Sequence, residues 1–550
     1  MAERPLVIGA ALGDCVHTAG VLNFLAVARR AGYRTEFLGP AVPVAGVVEA
    51  AARHPELLAL SYRLTPGAAE RLFAQLREAL AAAGLAGQRL VFGGTPVAAE
   101  AAVRSGLFEA VFGATDGPTV EEYLSGEAGG RREQAWAQSL VARRDQAAPR
   151  PLLRHHFGRP ELSATVAGIG QIAAAGVVDV VSLGPDQNFQ EHFFHPERMD
   201  PAQDGAGGVP VRSAGDLRRL YAATRQGNHP LMRCYAGTND QVALAEVLAE
   251  TIHNAWCAVP VFWYSELDGR SVRSLEAAVA EQAGLVAWCA AHGVPVERND
   301  QTQWGLRHAS DVVQVAAAAL AGGLTAQAGV TTYVLQMMLN NPPGISPAMD
   351  VAKMAAMDAL VRDRVGEGVA VLREVRGGLF SLPLDPDRAR GQLASATRTA
   401  MLLRPDIIHV VGFTEAHHAI EADELVASCT LVHQVIDDAL LGLPDPLADG
   451  RVAGRRARLI DEASYLLGAI EERFPGAGEG DPAALAGAVR AGYLDAPYLT
   501  GSGVAPGATA TVVDGGCDAV DPATGRSISE AERLASLEGP ESPGGSRSAG

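Results

Sequence analysis

The sequence predicts an α/β protein with two parallel-sheet domains: an N-terminal flavodoxin-like (Rossmann-type) domain and a larger (β/α)₈ TIM barrel. Short apolar runs alternate with alanine-rich helical stretches as far as about residue 125, and a polar Gly- and Arg-rich interval follows at 126–150. Strand–helix alternation then resumes and continues to about residue 505. Such alternation is typical of parallel strands joined by crossover helices.

The pattern divides the chain into four segments: a first domain (1–127), a linker (128–154), the barrel (155–505) and a C-terminal extension (506–550). The strands predicted in the first domain are 6–11, 35–38, 57–61, 89–92 and 108–112. The strands predicted in the barrel are 177–183, 230–235, 259–264, 294–297, 331–337 and 407–411. The end of the extension, from 534 onwards, is rich in Gly, Ser, Pro and Glu and is predicted to be disordered.

The overall charge limits the class of partner. The chain has 550 residues, 48% hydrophobic and 20% charged, and 45 basic against 63 acidic residues give a net charge of −18. This composition fits a soluble globular protein, and the acidic balance argues against nucleic acid or anionic membrane as a partner.

The cysteines and the N-terminus indicate a cytoplasmic protein. No Cys-x-x-Cys spacing occurs among Cys15, Cys234, Cys257, Cys289, Cys429 and Cys517. We therefore expect reduced thiols, with neither a zinc ribbon nor an iron–sulfur site. No cleavable leader precedes the first strand, and no apolar run is long enough to span a bilayer.

The most informative motif follows the first predicted strand, where Gly-Asp-Cys-Val-His-Thr-Ala-Gly places His17 before a helix. Open α/β sheets bind ligands at the carboxyl ends of their strands, so an imidazole here is placed for ligation. Ser61 and the pair Gly93-Gly94 end two other predicted strands. The alternative is a flavodoxin-like domain in which the histidine only forms a local hydrogen bond.

This ordered set of His-x-x-Gly, serine and Gly-Gly resembles the cobalamin-binding domain of B12-dependent mutases and methionine synthase. The resemblance implies that His17 is the lower ligand of cobalt and that the displaced nucleotide tail of the cofactor enters the sheet. Ser61 would then offer a hydrogen bond to the tail, while Gly93 and Gly94 would let it lie against the backbone. Gly20 and Leu64 complete the matching positions.

The chain departs from that family pattern at two places. The carboxylate that usually supports the histidine lies two residues before it, where this chain has Cys15, and Asp14 is one residue further back. Either side chain could support His17. The usual Ser-x-Leu is one residue longer here, reading Ser61-Tyr62-Arg63-Leu64.

Polar residues follow the predicted barrel strands, at the end where barrels carry their chemistry. The segments from Leu231 to Asp240, from Tyr333 to Pro343 and from Phe413 to Ser428 are similar to the catalytic subunit of glutamate mutase. That resemblance implies that Arg233 grips a substrate carboxylate, that Gln336 contacts substrate, and that Glu415 and Glu424 contact the adenosyl ribose. An ion pair between Arg233 and Asp240 is the alternative.

One position in the barrel departs from glutamate mutase. Ala255 stands where that enzyme has the carboxylate that binds the substrate amine. Glu266 and Tyr264 lie nearby in the chain and are predicted to supply a replacement acid and a replacement hydrogen bond; the alternative is a wholly different substrate.

The resemblances together imply an adenosylcobalamin-dependent carbon-skeleton isomerase for a small carboxylate or amino acid, expected to be a homodimer. The alternatives are a corrinoid methyltransferase and a non-catalytic cobalamin carrier or sensor. Methyltransferases of this type usually carry a helical cap before the cobalamin domain, and the first strand begins here at Leu6. No basic surface supports a DNA-binding sensor.

Overall fold

The computed structural model describes residues 4–113, 119–120, 123–124 and 136–537. The chain divides into two compact units, Met1–Ala135 and Trp136–Gly550. No helix within the described ranges is long and apolar enough to cross a membrane.

The first unit is a five-stranded parallel sheet with helices on both faces. Its strands are β1 (Leu6–Ala11), β2 (Arg34–Phe37), β3 (Leu57–Tyr62), β4 (Leu90–Gly94) and β5 (Ala110–Phe112). Its helices are α1 (Ala19–Arg30), α2 (Val44–Ala51), α3 (Pro66–Ala82) and α4 (Pro96–Ser105). The strand order β2-β1-β3-β4-β5 is flavodoxin-like and confirms the predicted fold of this region.

The second unit contains an eight-stranded parallel barrel. Its strands are β6 (Leu152–Phe157), β7 (Val180–Leu183), β8 (Leu231–Arg233), β9 (Cys257–Ala258), β10 (Val296–Arg298), β11 (Thr332–Met338), β12 (Ala370–Arg376) and β13 (Ile407–His409). The hydrogen-bonded order is β8-β7-β6-β13-β12-β11-β10-β9. A single bridge between Tyr235 and Ala258 joins β8 to β9 across the remaining seam. The predicted barrel is therefore confirmed.

Helices surround this barrel and extend beyond its last strand. They are α5 (Leu140–Ala147), α6 (Leu162–Ala175), α7 (Gln187–His192), α8 (Ala214–Ala223), α9 (Gln241–Ile252), α10 (Leu275–His292), α11 (Asp300–Gly305), α12 (Asp311–Gln327), α13 (Pro347–Val365), α14 (Pro386–Met401), α15 (Ala422–Leu440), α16 (Gly450–Arg473), α17 (Pro482–Arg490) and α18 (Glu530–Leu537).

Three strands of the barrel differ from the sequence prediction. The strand predicted at 259–264 is wrong, because β9 ends at Ala258. Pro260 has no N–H to donate, and the N–H groups of Val261 and Phe262 donate to the Asp300 carboxylate instead of to a neighbouring strand. Strands β6 and β12 were not predicted, because charged side chains that face the barrel interior interrupt their apolar runs. Strand β6 and helix α5 occupy part of the interval predicted as a linker.

The C-terminal extension contains regular structure. A hairpin is formed by β14 (Thr511–Asp514) and β15 (Gly516–Ala519), and α18 continues to Leu537, so the disorder predicted from 534 is wrong for its first four residues. The buried Arg533 guanidinium donates to the carbonyls of Gly492 and Tyr493, both at 2.8 Å. The rest of that prediction, 538–550, lies outside the described residues.

Candidate functional site

A cavity of about 380 Å³ opens in the first unit, between helix α1 and the carboxyl ends of β3 and β4. Ser61 on β3 pairs in register with Gly93 on β4, and the next inward positions, Ala59 and Val91, lie on the same face. The apolar part of the lining comes from Val21, Phe24, Ala59, Val91, Phe112 and Val120. The polar part comes from His17, Ser61, Arg63 and Thr95.

Among the described residues, three hydroxyl groups of lining residues have no hydrogen-bond partner: that of Tyr62 and those of two smaller side chains. The Oγ atom of Ser61 and the Oγ1 atom of Thr95 are both buried and unpaired. A buried hydroxyl without a partner costs free energy, so these two atoms suit a ligand that carries hydrogen-bonding groups. Together with the apolar walls, they suit the aromatic base and the sugar of a nucleotide tail.

The two glycines at the end of β4 have different roles. A Cβ atom on Gly94 would lie 2.5 Å from the backbone oxygen of Tyr62, so that position requires glycine for strand packing. A Cβ atom on Gly93 would meet nothing within 4 Å, and Gly93 lines the cavity. The absence of a side chain at Gly93 therefore keeps the cavity open.

His17 is exposed at the mouth of the cavity, on the loop between β1 and α1. Its Nδ1 atom lies 3.9 Å from the Sγ atom of the buried Cys15. Asp14 is exposed, and its carboxylate acts instead on Tyr62, whose pKa is raised by burial and then by Asp14. Of the two side chains expected to support His17, the structure brings Cys15 to the imidazole.

Five of the residues predicted to bind cofactor line this one cavity: His17, Gly20, Ser61, Gly93 and Gly94. Asp14, Cys15 and Leu64 are not among its lining residues, and the Leu64 side chain is 38% exposed.

The barrel interior is arranged in layers because alternate residues of each strand point inward. Near the amino ends of the strands, an apolar layer is formed by Leu152, Val180, Leu231, Val334, Leu372 and Ile407. Two residues further along β6, β8 and β12, the inward positions hold Arg154, Arg233 and Glu374, all fully buried. An apolar floor thus supports a charged layer.

Arg154 connects four strands of the barrel. Its guanidinium on β6 donates to Glu374 Oε1 on β12 at 2.9 Å and to Ser182 Oγ on β7 at 2.8 Å. It also lies 2.8 Å from His409 Nδ1 on β13. All three nitrogen atoms of this buried guanidinium therefore have partners within the barrel.

Arg233 connects β8 to β10 and retains free donors. Its Nη2 atom donates to Glu297 Oε2 at 2.7 Å, and Trp256 Nε1 donates to the same oxygen at 2.5 Å. The guanidinium lies 4.6 Å from the ring centre of Tyr235. Among the described residues, the Nε and Nη1 atoms of Arg233 are buried with no hydrogen-bond partner. These two nitrogens lie on different edges of the guanidinium, so each can donate its own hydrogen bond to an anionic ligand.

The two buried glutamates differ in their tendency to ionise. Burial alone would raise the pKa of Glu297, but Arg233 and Arg154 lower it overall, so Glu297 is a carboxylate. Burial raises the pKa of Glu374 to about 7, with Arg154 acting against that rise and Glu297 adding to it. Arg154 and Arg233 thus share this layer with one ionised carboxylate and one carboxyl group that is partly protonated near neutral pH.

The histidines of this region are held neutral. The pKa values of His156 and His409 lie well below the ordinary histidine value. Burial is the larger cause, and the positive charge of Arg154 is the next. His156 Nε2 lies 3.1 Å from the Tyr235 hydroxyl, and the two rings stack at 5.3 Å.

The other residues predicted in the barrel are used structurally. The Glu266 carboxylate accepts the backbone N–H of Leu275 at 3.0 Å, at the start of α10, and Gln336 Oε1 accepts the Thr302 hydroxyl at 2.6 Å. Tyr264 lies on a loop with φ of 60° and is half-buried. The alternative partner of Arg233 is excluded, since Asp240 pairs with His195 at 3.3 Å.

The two glutamates predicted to hold the ribose also have protein partners. Glu415 Oε1 lies 2.9 Å from His155 Nε2 and accepts the backbone N–H of Gly412 at 2.8 Å. Glu424 accepts the backbone N–H of Glu421 at 2.9 Å in the capping box of α15.

Sequence reasoning missed Arg154, Glu297, Glu374, His156 and His409. A signal for them exists in the strands that carry them. In Leu-Leu-Arg-His-His-Phe and in Leu-Arg-Glu-Val-Arg, polar residues recur at every second position inside an apolar run, which is the pattern of a strand with a polar inward face.

Comparison with known proteins identifies the first unit. The family model described as "B12 binding domain" matches residues 5–121. The N-terminal unit therefore carries a cobalamin-binding domain, and the cavity described above lies in it. No curated protein matches the chain.

Similar solved structures include a novel cobalamin-binding protein from Desulfitobacterium hafniense DCB-2, 25% identical, over 22% of this chain and 57% of that one, with a TM-score of 0.20. The chain thus spans little more than half of that protein. A Rubisco-like protein from Rhodopseudomonas palustris is 16% identical over 55% of this chain and 68% of its own, with a TM-score of 0.31.

A further Rubisco-like protein (MtnW), from Alicyclobacillus acidocaldarius subsp. acidocaldarius DSM 446, is 15% identical over 58% of this chain and 71% of its own, with a TM-score of 0.32. At these TM-scores, none of the three matches indicates a shared activity.

Replacing each of the two glycines of β4 by alanine should have opposite effects. Gly94→Ala should destabilise the first unit by about 1–3 kcal/mol, because its Cβ atom collides with backbone. Gly93→Ala should leave the stability of the unit nearly unchanged but weaken cobalamin binding by at least about tenfold, because the methyl group enters the cavity. Hydrogen exchange of peptides spanning 57–94 and an absorbance titration measure the two effects. Equal behaviour of the two variants would contradict this assignment.

His156 should make the stability of the second unit depend on pH. Its pKa is lowered in the folded state, so below the ordinary value of 6.5 the unfolded chain takes up a proton that the folded chain does not. The free energy of unfolding should fall by about 1.4 kcal/mol between pH 7.5 and 5.5 for this group. His156→Gln should reduce the total fall by that amount. Urea unfolding followed by tryptophan fluorescence isolates this unit, because all tryptophans lie after residue 135. Parallel pH profiles of wild type and variant would refute the prediction.

Proposed function

We propose that this protein is an adenosylcobalamin-dependent radical carbon-skeleton isomerase, similar to glutamate mutase, that acts on a small carboxylate or amino acid. The observation that carries the proposal is the presence, in one chain, of a cobalamin-binding domain and a barrel whose buried Arg233 has two unpartnered N–H groups. A cytoplasmic homodimer is part of the same proposal.

The cavity of the first unit fits the cofactor. His17 would hold the cobalt, and the unpaired hydroxyls of Ser61 and Thr95 would bind the nucleotide tail beside Gly93. When bound, adenosylcobalamin supplies a primary carbon radical by homolysis of its cobalt–carbon bond. The protein must then hold the substrate in one orientation and keep water away from it.

Arg233 would fix that orientation. Glu297 accepts the Nη2 N–H and is itself held by Trp256, and the ring of Tyr235 supports the face of the guanidinium, so the directions of the free N–H groups are fixed. A substrate carboxylate that accepts one of these N–H groups would form a charge-assisted hydrogen bond in surroundings from which water is largely excluded.

The neutral imidazoles can position a bound carboxylate. His156 and His409 are neutral near neutral pH and each keeps one N–H, so they can donate a hydrogen bond to a carboxylate without carrying a positive charge. Their contribution would be to position groups at the carboxyl end of the barrel.

The proposal assigns no residue to bind an amino group of the substrate. Ala255 replaces the carboxylate of glutamate mutase, and Glu266 is occupied at the start of α10. The unpartnered acceptors in the charged layer are Glu297 Oε1 and Glu374 Oε2. A substrate panel should therefore contain matched acids with and without an α-amino group.

The proposal is tested with the full-length protein loaded with adenosylcobalamin in the dark under anaerobic conditions. We expect one acid of the panel to give an isomerised product by NMR, together with a change in the cofactor absorbance. Arg233→Lys keeps the charge beside Glu297 but loses the planar guanidinium with its donors in fixed directions, so kcat/KM should fall by about 100-fold or more while cobalamin binding is unchanged.

Arg225→Lys is the matched control, because Arg225 also stacks on a tyrosine, Tyr221 at 4.4 Å, but its donors bond to protein groups outside the barrel. It should behave as wild type. Product formation that is insensitive to Arg233→Lys would contradict the proposed site. Methyl transfer from bound methylcobalamin without isomerisation would favour the methyltransferase alternative instead.

A further inference from the structure

A second cavity, of about 270 Å³, lies on the outer side of the barrel strands, among the surrounding helices. Glu297 points into the barrel, so the next residue on β10, Arg298, points outward and lines this cavity. Helices α10 and α12 contribute Val279, Gln282 and Leu324 to its walls. The site is separate from Arg233 and from the cobalamin cavity.

Arg298 is a buried cation without a directly bonded carboxylate. It is 4% exposed. Its Nε atom donates to Thr325 Oγ1 at 3.0 Å, and its Nη1 atom donates to the carbonyls of Val259 and Pro260 at 3.0 and 2.6 Å. Among the described residues, its Nη2 atom makes no hydrogen bond, and no carboxylate oxygen lies within 4.0 Å of the guanidinium.

The carboxylate of Asp300 does not form a direct ion pair with this guanidinium. Asp300 acts on Arg298 only through its field, because both of its carboxylate oxygens accept backbone N–H groups of Val261 and Phe262. Burying a guanidinium is costly unless an anion neutralises it. Arg298 therefore retains a free donor at the wall of a cavity, and its charge is offset by Asp300 without a direct ion pair.

The other residues that line the cavity indicate the chemical character of the rest of the ligand. About half of the surface is aliphatic, from Val261, Val279, Ala283, Val286, Leu324, Ala328 and Leu485. The polar contributors besides Arg298 are Gln282, Gln327 and Glu479. Gln282 Oε1 is buried with no partner, and Glu479 is exposed. The cavity is smaller than the roughly 300–1,000 Å³ of pockets for drug-sized ligands.

We propose that this cavity is a binding site for a small aliphatic monocarboxylate. The carboxylate would accept the Nη2 N–H of Arg298 and neutralise its charge, and the hydrocarbon chain would pack against the valines and leucines. A single guanidinium with an exposed glutamate in the lining disfavours dianions such as phosphate. The unpaired Gln282 Oε1 would accept a hydrogen bond from a donor on the ligand chain, such as a hydroxyl group.

The test is calorimetric titration of the full-length protein with sodium butyrate, compared with 1-butanol, butylammonium chloride and inorganic phosphate. We expect saturable binding of butyrate to a site that depends on Arg298, with no competition from the other three compounds. Ala328→Phe, which fills the cavity and leaves Arg298 in place, should abolish binding. Its matched control, Ala326→Phe, alters a neighbouring alanine outside the lining and should bind as wild type.

Two charge variants complete the test. Arg298→Gln should weaken butyrate binding by more than about tenfold, and Glu479→Gln should strengthen it. Arg233→Lys should leave it unchanged, which separates this site from the proposed substrate site. The proposal is overturned if butyrate shows no saturable binding, if butanol or phosphate binds as well as butyrate, if Ala328→Phe binds as wild type, or if binding follows Arg233 rather than Ala328.

Discussion

Two buried guanidiniums organise the barrel. Arg154 joins β6 to β7, β12 and β13 through Ser182, Glu374 and His409, and Arg233 joins β8 to β10 across the seam where β8 and β9 share only one bridge. Removing one partner of such a buried pair costs about 3–5 kcal/mol, because the other charge is left in a medium of low dielectric. Once these strands carry arginine, the barrel interior must also contain polar partners for the guanidinium groups. The positions of these groups determine where an anionic ligand could bind.

Unpaired polar groups support the two proposed binding sites. Ser61 and Thr95 present buried hydroxyls to the cavity of the B12-binding domain, and Arg233 presents unpaired N–H groups in the barrel. Leaving such atoms unpaired costs free energy, and these atoms lie at the carboxyl ends of parallel strands, where α/β proteins bind ligands. The same reasoning applied to Arg298, on the outside of the barrel, indicates a site that the catalytic proposal does not use.

The sequence predicted the first unit almost completely, because its strands are continuous apolar runs and its motif residues lie where those runs end. It predicted the barrel as a class but not all of its strands. Strands β6 and β12 carry Arg154, His156, Glu374 and Arg376 on their inward face, and the resulting mixed composition hides the strand pattern. Partners could not be predicted either: Glu297 is 64 residues from Arg233 in the chain, and only barrel closure brings them together. The same holds for Cys15, whose proximity to His17 depends on the loop conformation.

The central claim, that this chain binds cobalamin with His17 as the lower ligand of cobalt, is tested most directly by electron paramagnetic resonance of the full-length protein loaded with cob(II)alamin. The protein is prepared with natural histidine and with ¹⁵N-histidine, and the cofactor is unlabelled. The unpaired electron couples to the axial nitrogen, so we expect each cobalt line to change from a triplet to a doublet on labelling and the splitting to be lost in His17→Ala. A triplet that persists in the labelled protein would mean that the cofactor keeps its own base, which would contradict the claim.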